Sequence, residues 1–322
     1  MNIRRIVWAS VLALSCISAP AMALDQVKMR LDWVFGTEHS GVFVALQKGF
    51  FREEGIDVQV LPGEGSSVTV KLVGTGDVEF GYATADQAVL AADKGLPVVT
   101  TAVILQKNPV AIVFPTSTGI KTLKDLYGKR LGLQLKSAVE RQWRAVVKKN
   151  DIDTSKITEV PADLAVAKLI LAGRIDAGVA FAFNDGLLPV AEGVDMGWIY
   201  FRDFGLPMYS SGLITNQDMI KKNPDLVRRF TRAFVKGWTY ANEHPDEAYT
   251  LTVAANPTLD NKYNKIKLPA VLELTNSADT RANGIGHSDA EGWNALMHTM
   301  VSLDMIKKPL DPGAVSTNEF LK

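Results

Sequence analysis

The chain has 322 residues, with 35 lysines and arginines against 35 aspartates and glutamates, one cysteine and 47% hydrophobic residues. That balance excludes the basic surface a nucleic acid or an anionic membrane requires. A single cysteine excludes a disulfide framework and a thiolate metal site, and the length suffices for two sizeable cores.

Residues 1–23 read as an export leader: Arg4-Arg5, a short apolar stretch over 6–17, and the small-x-small site Ala21-Met22-Ala23. The stretch is too short for a permanent membrane anchor, and Cys16 falls inside it. The mature chain is expected to begin at Leu24 as a periplasmic protein without cysteine. Residues 27–33 then alternate toward a strand, 41–54 carry apolar side chains at helical spacing, and 58–61 form a strand before the turn Pro62-Gly63-Glu64-Gly65. A helix over 85–94 stops at Gly95, and a strand follows over 98–105. This alternation predicts a largely parallel sheet covered on both faces.

The chain also echoes itself. Lys71-Leu72 leads through Gly76, Val78 and Glu79 to Gly81 and Ala83; Lys168-Leu169 leads through Gly173, Ile175 and Asp176 to Gly178 and Ala180. Two units of one plan imply two lobes with a ligand cleft between them. The apolar runs 110–114 and 210–215 read as crossings between lobes. Residues 113–213 are then lobe 2, and 24–112 with 214–322 build lobe 1. Asn223-Pro224 opens a long helix with Phe230, Phe234 and Trp238 on its core stripe, whereas 256–267 show no clear period.

The richest segment runs Leu31-Asp32-Trp33-Val34-Phe35-Gly36-Thr37-Glu38-His39-Ser40-Gly41. It leaves a strand where an open α/β sheet puts its cleft. Trp33 and Phe35 are placed to stack a planar ligand and His39 to hydrogen-bond it, with Asp32 orienting its neighbours; a core role is the alternative for Trp33 and a structural one for His39. Tyr82 adds a third aromatic, and Thr84 is either a ligand contact or a helix cap. In the second copy, Phe183 and Asn184 are the ligand candidates, with Phe181 as readily a core residue. Gln134, Lys136 and Ser137 face the cleft from lobe 2, Ser137 chiefly as the cap of a helix with Glu140. Neither a zinc motif, a phosphate loop nor a nucleophile elbow occurs, so no catalytic residue, metal or cofactor is expected.

On these residues the chain resembles the periplasmic substrate-binding proteins of nitrate/sulfonate/taurine-type ABC importers. Within that group it is similar to the binding proteins for thiamine-pyrimidine precursors and to their fold relatives, the yeast-type pyrimidine-precursor synthases. The group's opening motif, Leu-Asp-Trp-x-Pro-Asn-x-x-His-x-Gly, is matched by Leu31-Asp32-Trp33, His39 and Gly41. The stretch from Lys48-Gly49-Phe50-Phe51 to Glu54-Gly55-Ile56-Asp57-Val58 and the segment Arg202-Asp203-Phe204-Gly205-Leu206-Pro207 extend the likeness. The resemblance implies an α/β type II clamshell with two strand crossings. It would act as a monomeric, non-enzymatic receptor delivering an aromatic or heteroaromatic solute to an inner-membrane ABC permease. Another aromatic acid, a flavin or a sulfonate is the alternative solute, and a membrane sensor the alternative partner. A synthase, whose histidine would match His39, lacks its run of cysteines here. Phe35 and Gly36 replace the motif's Pro-Asn, which removes an amide and implies a shift from aminopyrimidines toward a larger or less polar ring.

Overall fold

A computed structural model describes residues 23–135, 137–162 and 165–322. Apart from Ala23, the expected leader lies outside the described residues, and so does Lys136. The chain forms two five-stranded sheets. The strands in chain order are β1 (Asp25–Arg30), β2 (Ile56–Leu61), β3 (Phe80–Thr84), β4 (Val98–Val103), β5 (Val110–Pro115), β6 (Arg130–Leu133), β7 (Thr158–Pro161), β8 (Ala177–Phe181), β9 (Met196–Tyr200) and β10 (Ser211–Asn216). Their lateral orders are β2-β1-β3-β10-β4 and β7-β6-β8-β5-β9. In each sheet one strand runs against the rest: β10 in the first and β5 in the second. Those are the strands by which the chain enters a sheet from the other one.

The sequence echo is this shared plan. Its two strands, β3 and β8, hold the central place in their sheets. Each acidic residue of the echo accepts the backbone N–H of the neighbouring first strand at 2.8 Å, Glu79 from Lys28 and Asp176 from Arg130. Each glycine lets a helix lie close on the strand. A Cβ at Gly81 would meet Thr69 at 2.8 Å, and one at Gly178 would meet Val166 at 2.4 Å.

The strands read as crossings each keep to one sheet. β5 pairs with β8 and β9, and β10 with β3 and β4. The passages between sheets are therefore the stretches before them, 104–109 and 201–210, and the lobe limits drawn at 112/113 and 213/214 fall inside strands. The helix expected over 41–54 is two, Ser40–Gln47 and Phe50–Glu53, divided at Gly49, whose φ of 77° ends an α-helix. The long helix Pro224–Glu243 buries Val227, Phe230, Phe234 and Trp238 against the first sheet and the helix Ser40–Gln47. Truncating one such aromatic costs about 3–5 kcal/mol.

The segment expected to be irregular, 256–267, holds the first half of a helix, Lys262–Glu273. Its period is hidden because two of its buried residues, Asn264 and Lys267, are polar and Pro269 lies inside it. This helix packs against the second unit's helix Leu187–Ala191 and the turn Ala182–Gly186. It also packs against the turn Thr37–His39 of the first unit, so it touches both.

Candidate functional site

A cavity of about 420 Å³ opens where the strands of both sheets end. Trp33 follows β1, Tyr82 and Thr84 close β3, Gln134 follows β6 and Phe181 ends β8; all five line it. Parallel strands direct their carboxyl ends, and the loops leaving them, to one side, which is where an open α/β sheet binds ligand.

The aromatic candidates divide by their surroundings. Trp33 is 43% exposed at the rim, so its ring is free to cover a ligand. Phe183 and Phe181 line the opposite wall with ring centroids 5.8 Å apart. Tyr82 reaches the cavity from the core, 1% exposed and roughly parallel to Trp238. Burial, reinforced by Asp32 and Glu38, pushes its phenol well above the usual range, so it remains protonated. Phe35 is not in the lining. It stands edge-on to Phe43 at 5.5 Å, packed against the core.

The polar candidates are rearranged more deeply. His39 is fully buried and outside the lining; its Nε2 lies 2.9 Å from Asp32 Oδ1. Asp32 is the residue that faces the cavity, with the Ser66 and Ser211 hydroxyls donating to Oδ2 at 3.5 and 3.4 Å. The expected order, with His39 on the ligand and Asp32 behind it, is thus inverted. The motif segment turns at once into the helix Ser40–Gln47, which carries the imidazole inward.

Glu38 also lines the cavity and pairs with Lys267 at 2.7 Å, both side chains nearly enclosed. Burial pushes the Glu38 carboxyl up, but the Lys267 ammonium, with His39 beside it, outweighs burial and holds it below the usual range. Gly36 makes room for this carboxylate: a Cβ there would stand 2.1 Å from Glu38 Oε2. A side chain at position 36 and the Glu38 carboxylate in its present place therefore exclude one another.

On the second unit, Asn184 Oδ1 accepts from the Tyr263 hydroxyl at 3.3 Å. Burial pushes the Asp185 carboxyl up even though the Ala167 N–H donates to it at 3.0 Å. Ser137 caps its helix, accepting from the Glu140 N–H at 3.1 Å and donating to the Gln134 carbonyl at 2.6 Å, and does not reach the lining. Thr84 does line the cavity; as the residue before the helix Ala85–Asp93 it makes no side-chain cap, which leaves its hydroxyl for the cleft. Lining residues that sequence reasoning did not single out as contacts include Glu38, Ser66, Asp185, Ser210 and Ser211. Asp185 had a usable signal in its place beside Asn184. The serines had none. Among the described residues no group of three or more His, Cys, Asp or Glu is disposed to hold a metal ion.

Two sheets of one plan, joined by two passages and sharing a cleft, define the class: this is the fold of the periplasmic binding proteins. The periplasmic aliphatic sulphonate binding protein SsuA from Escherichia coli matches it with a TM-score of 0.72 over 92% of this chain and 99% of its own, at 13% identity. At that identity the likeness is one of fold. The family described as NMT1/THI5 like matches residues 36–248, and the chain belongs to it. Three relatives show the range of that kinship. The formylaminopyrimidine-binding protein of Halalkalibacterium halodurans is 26% identical over 296 residues, 89% of this chain and 88% of its own. The riboflavin-binding protein RibY of Chloroflexus aurantiacus is 22% identical over 304 residues, 92% of this chain and 86% of its own. The 4-amino-5-hydroxymethyl-2-methylpyrimidine phosphate synthase of Legionella pneumophila is 28% identical over 309 residues, 93% of this chain and 95% of its own.

Proposed function

We propose that this chain is an exported, monomeric receptor that takes a planar heteroaromatic solute of the thiamine-pyrimidine-precursor kind into the cleft and delivers it to an inner-membrane ABC permease. The observation that carries the reading is the lining: aromatic faces from both units, Trp33 on one side and Phe181 with Phe183 on the other, around a small set of carboxylates. Asp32, Glu38 and Asp185 are acceptors for ring amino and ring N–H donors, and they repel a sulfonate or nitrate. Glu38 supplies an acceptor where Gly36 removes the motif's amide, which favours a donor-bearing ring over the less polar one implied by the Gly36 change alone. The kinship with pyrimidine- and riboflavin-binding relatives supports the same ligand class.

A receptor is favoured over a synthase by His39. An imidazole fully buried behind Asp32 and outside the lining is placed to orient a carboxylate and not to meet a substrate. The test is a thermal-shift panel of formylaminopyrimidine, hydroxymethylpyrimidine, riboflavin, taurine and an alkanesulfonate, with mass spectrometry of the released ligand. A solute at 100 times its Kd stabilises by about 2.7 kcal/mol. Stabilisation by the sulfonates alone would sink the heteroaromatic reading, and a chemically altered ligand would sink the receptor.

A further inference from the structure

Tyr82 lies on the face of β3 that also carries Phe80 and Thr84, one alternation away on either side. Phe80 stacks on Phe230 with ring centroids 3.8 Å apart, deep in the core, and Thr84 lines the cavity. Tyr82 is the step between them. Its ring lies against Trp238 and Phe234, with centroids 6.1 and 6.2 Å away, and His39 stands edge-on to it at 5.5 Å. With 1% of the residue exposed, the ring has no face left for a solute to stack on. What it offers the cavity is its hydroxyl, which is buried and has no hydrogen-bond partner among the described residues.

The phenol stays protonated, so it is an O–H donor in need of an acceptor. The carboxylates nearby are engaged elsewhere. Asp32 Oδ1 faces His39 Nε2 at 2.9 Å, the Ser66 and Ser211 hydroxyls are directed to Oδ2, and Glu38 pairs with Lys267. A buried donor without an acceptor is costly, and a fold tolerates one beside a cavity where the solute brings the missing partner. We infer that the Tyr82 hydroxyl donates to an acceptor atom of the solute's ring, a ring nitrogen or a carbonyl oxygen, while the neighbouring carboxylates take the ring's donors. This rests on the heteroaromatic reading and narrows the solute to a ring that sets an acceptor beside a donor on one edge, as an amidine or a lactam does. Tyr82 is then a specificity-determining residue and not a stacking one. A ring of the same shape without the acceptor leaves the buried O–H unpaired and is rejected for that reason.

The experiment is isothermal titration of the full mature chain and of Tyr82→Phe with two rings of one shape. 4-Amino-5-hydroxymethyl-2-methylpyrimidine carries a ring nitrogen beside its amino group. 2-Amino-4-methylbenzyl alcohol keeps the amino, hydroxymethyl and methyl groups but has carbon in place of both ring nitrogens. The parent is expected to bind the pyrimidine about tenfold tighter than the carbocycle, the worth of one hydrogen bond whose loss strands a buried donor. Tyr82→Phe should weaken the pyrimidine about tenfold and leave the carbocycle unchanged, so that the preference vanishes. Its melting temperature without solute should be no lower than the parent's, because the variant deletes a hydroxyl that the chain leaves unpaired. Equal binding of the two rings by the parent overturns the inference and leaves the aromatic cleft standing. A preference that survives in Tyr82→Phe also overturns it, since another group then reads the acceptor. So does a variant of lowered melting temperature that loses both rings equally, which would make the hydroxyl structural. Binding of neither ring overturns the inference, and a riboflavin titration then decides the broader reading: riboflavin bound leaves the heteroaromatic cleft standing, and riboflavin unbound defeats it too.

Discussion

Lys267→Met tests the electrostatics of the cleft most directly. The ammonium of Lys267 is nearly enclosed, 2.7 Å from Glu38 and within 5.6 Å of the Phe183 ring centroid. Methionine keeps most of the stem's volume and removes the charge, so packing is nearly conserved. The loss is more than one attraction, because Glu38 is left buried with its charge uncompensated. Breaking such a pair from one side costs about 3–5 kcal/mol, whereas replacing both partners with neutral groups is often close to neutral. The double variant Glu38→Gln/Lys267→Met is therefore expected to recover most of the loss. The effect also has a pH signature. In the parent, the folded pKa of Glu38 lies below its unfolded value, so its stabilisation is present above about pH 4.3 and fades as pH falls through the folded pKa. Without Lys267, burial dominates and the folded pKa rises above the unfolded one. The penalty then exists at neutral pH and disappears below about pH 4.3, so the two proteins converge in acid. Urea unfolding followed by tryptophan fluorescence from pH 4 to pH 7 measures this. A single variant within about 1 kcal/mol of the parent at neutral pH, or a double variant no better than the single, would refute the pairing.

Three further outcomes follow from the same geometry. Trp33→Ala should change unfolding free energy by less than about 1 kcal/mol, because the ring is 43% exposed, yet weaken a stacking solute about tenfold by calorimetry; a variant that unfolds but binds normally when refolded would return Trp33 to the core. Gly36→Asn should destabilise by about 1–3 kcal/mol by displacing the Glu38 carboxylate, and should cost much less in a Glu38→Ala background; equal cost in both backgrounds contradicts the coupling. Small-angle scattering should show a smaller radius of gyration with solute bound, as the two units turn about 104–109 and 201–210, and an unchanged radius argues against closure.

The echo made the architecture legible because a helix–glycine–strand unit records its constraints locally. Gly81 and Gly178 admit the helix just before them in the chain, and Glu79 and Asp176 recur at the same place in each copy, where each holds the N–H of a neighbouring, earlier strand. The long helix from Pro224 was legible for the same reason, since its buried stripe is apolar but for Thr231. The cleft's lining was partly legible: Trp33, Gln134, Phe183 and Asn184 follow strand ends, Tyr82 and Thr84 belong to β3, and all six line the cavity. What a strand end does not encode is depth. His39 follows Trp33 closely, but the helix beginning at Ser40 carries it behind Asp32. The Glu38–Lys267 pair was hidden by a stronger effect. Its members lie far apart in the chain, and the helix Lys262–Glu273 that brings Lys267 to Glu38 loses its apolar period because Asn264 and Lys267 occupy inward positions. A sequence obeys local pattern where burial alone sets the residue, and departs from it where a buried position must supply charge. The break in the pattern over 256–267 was therefore itself a mark of the site: a helix whose inner face is polar has something polar to meet.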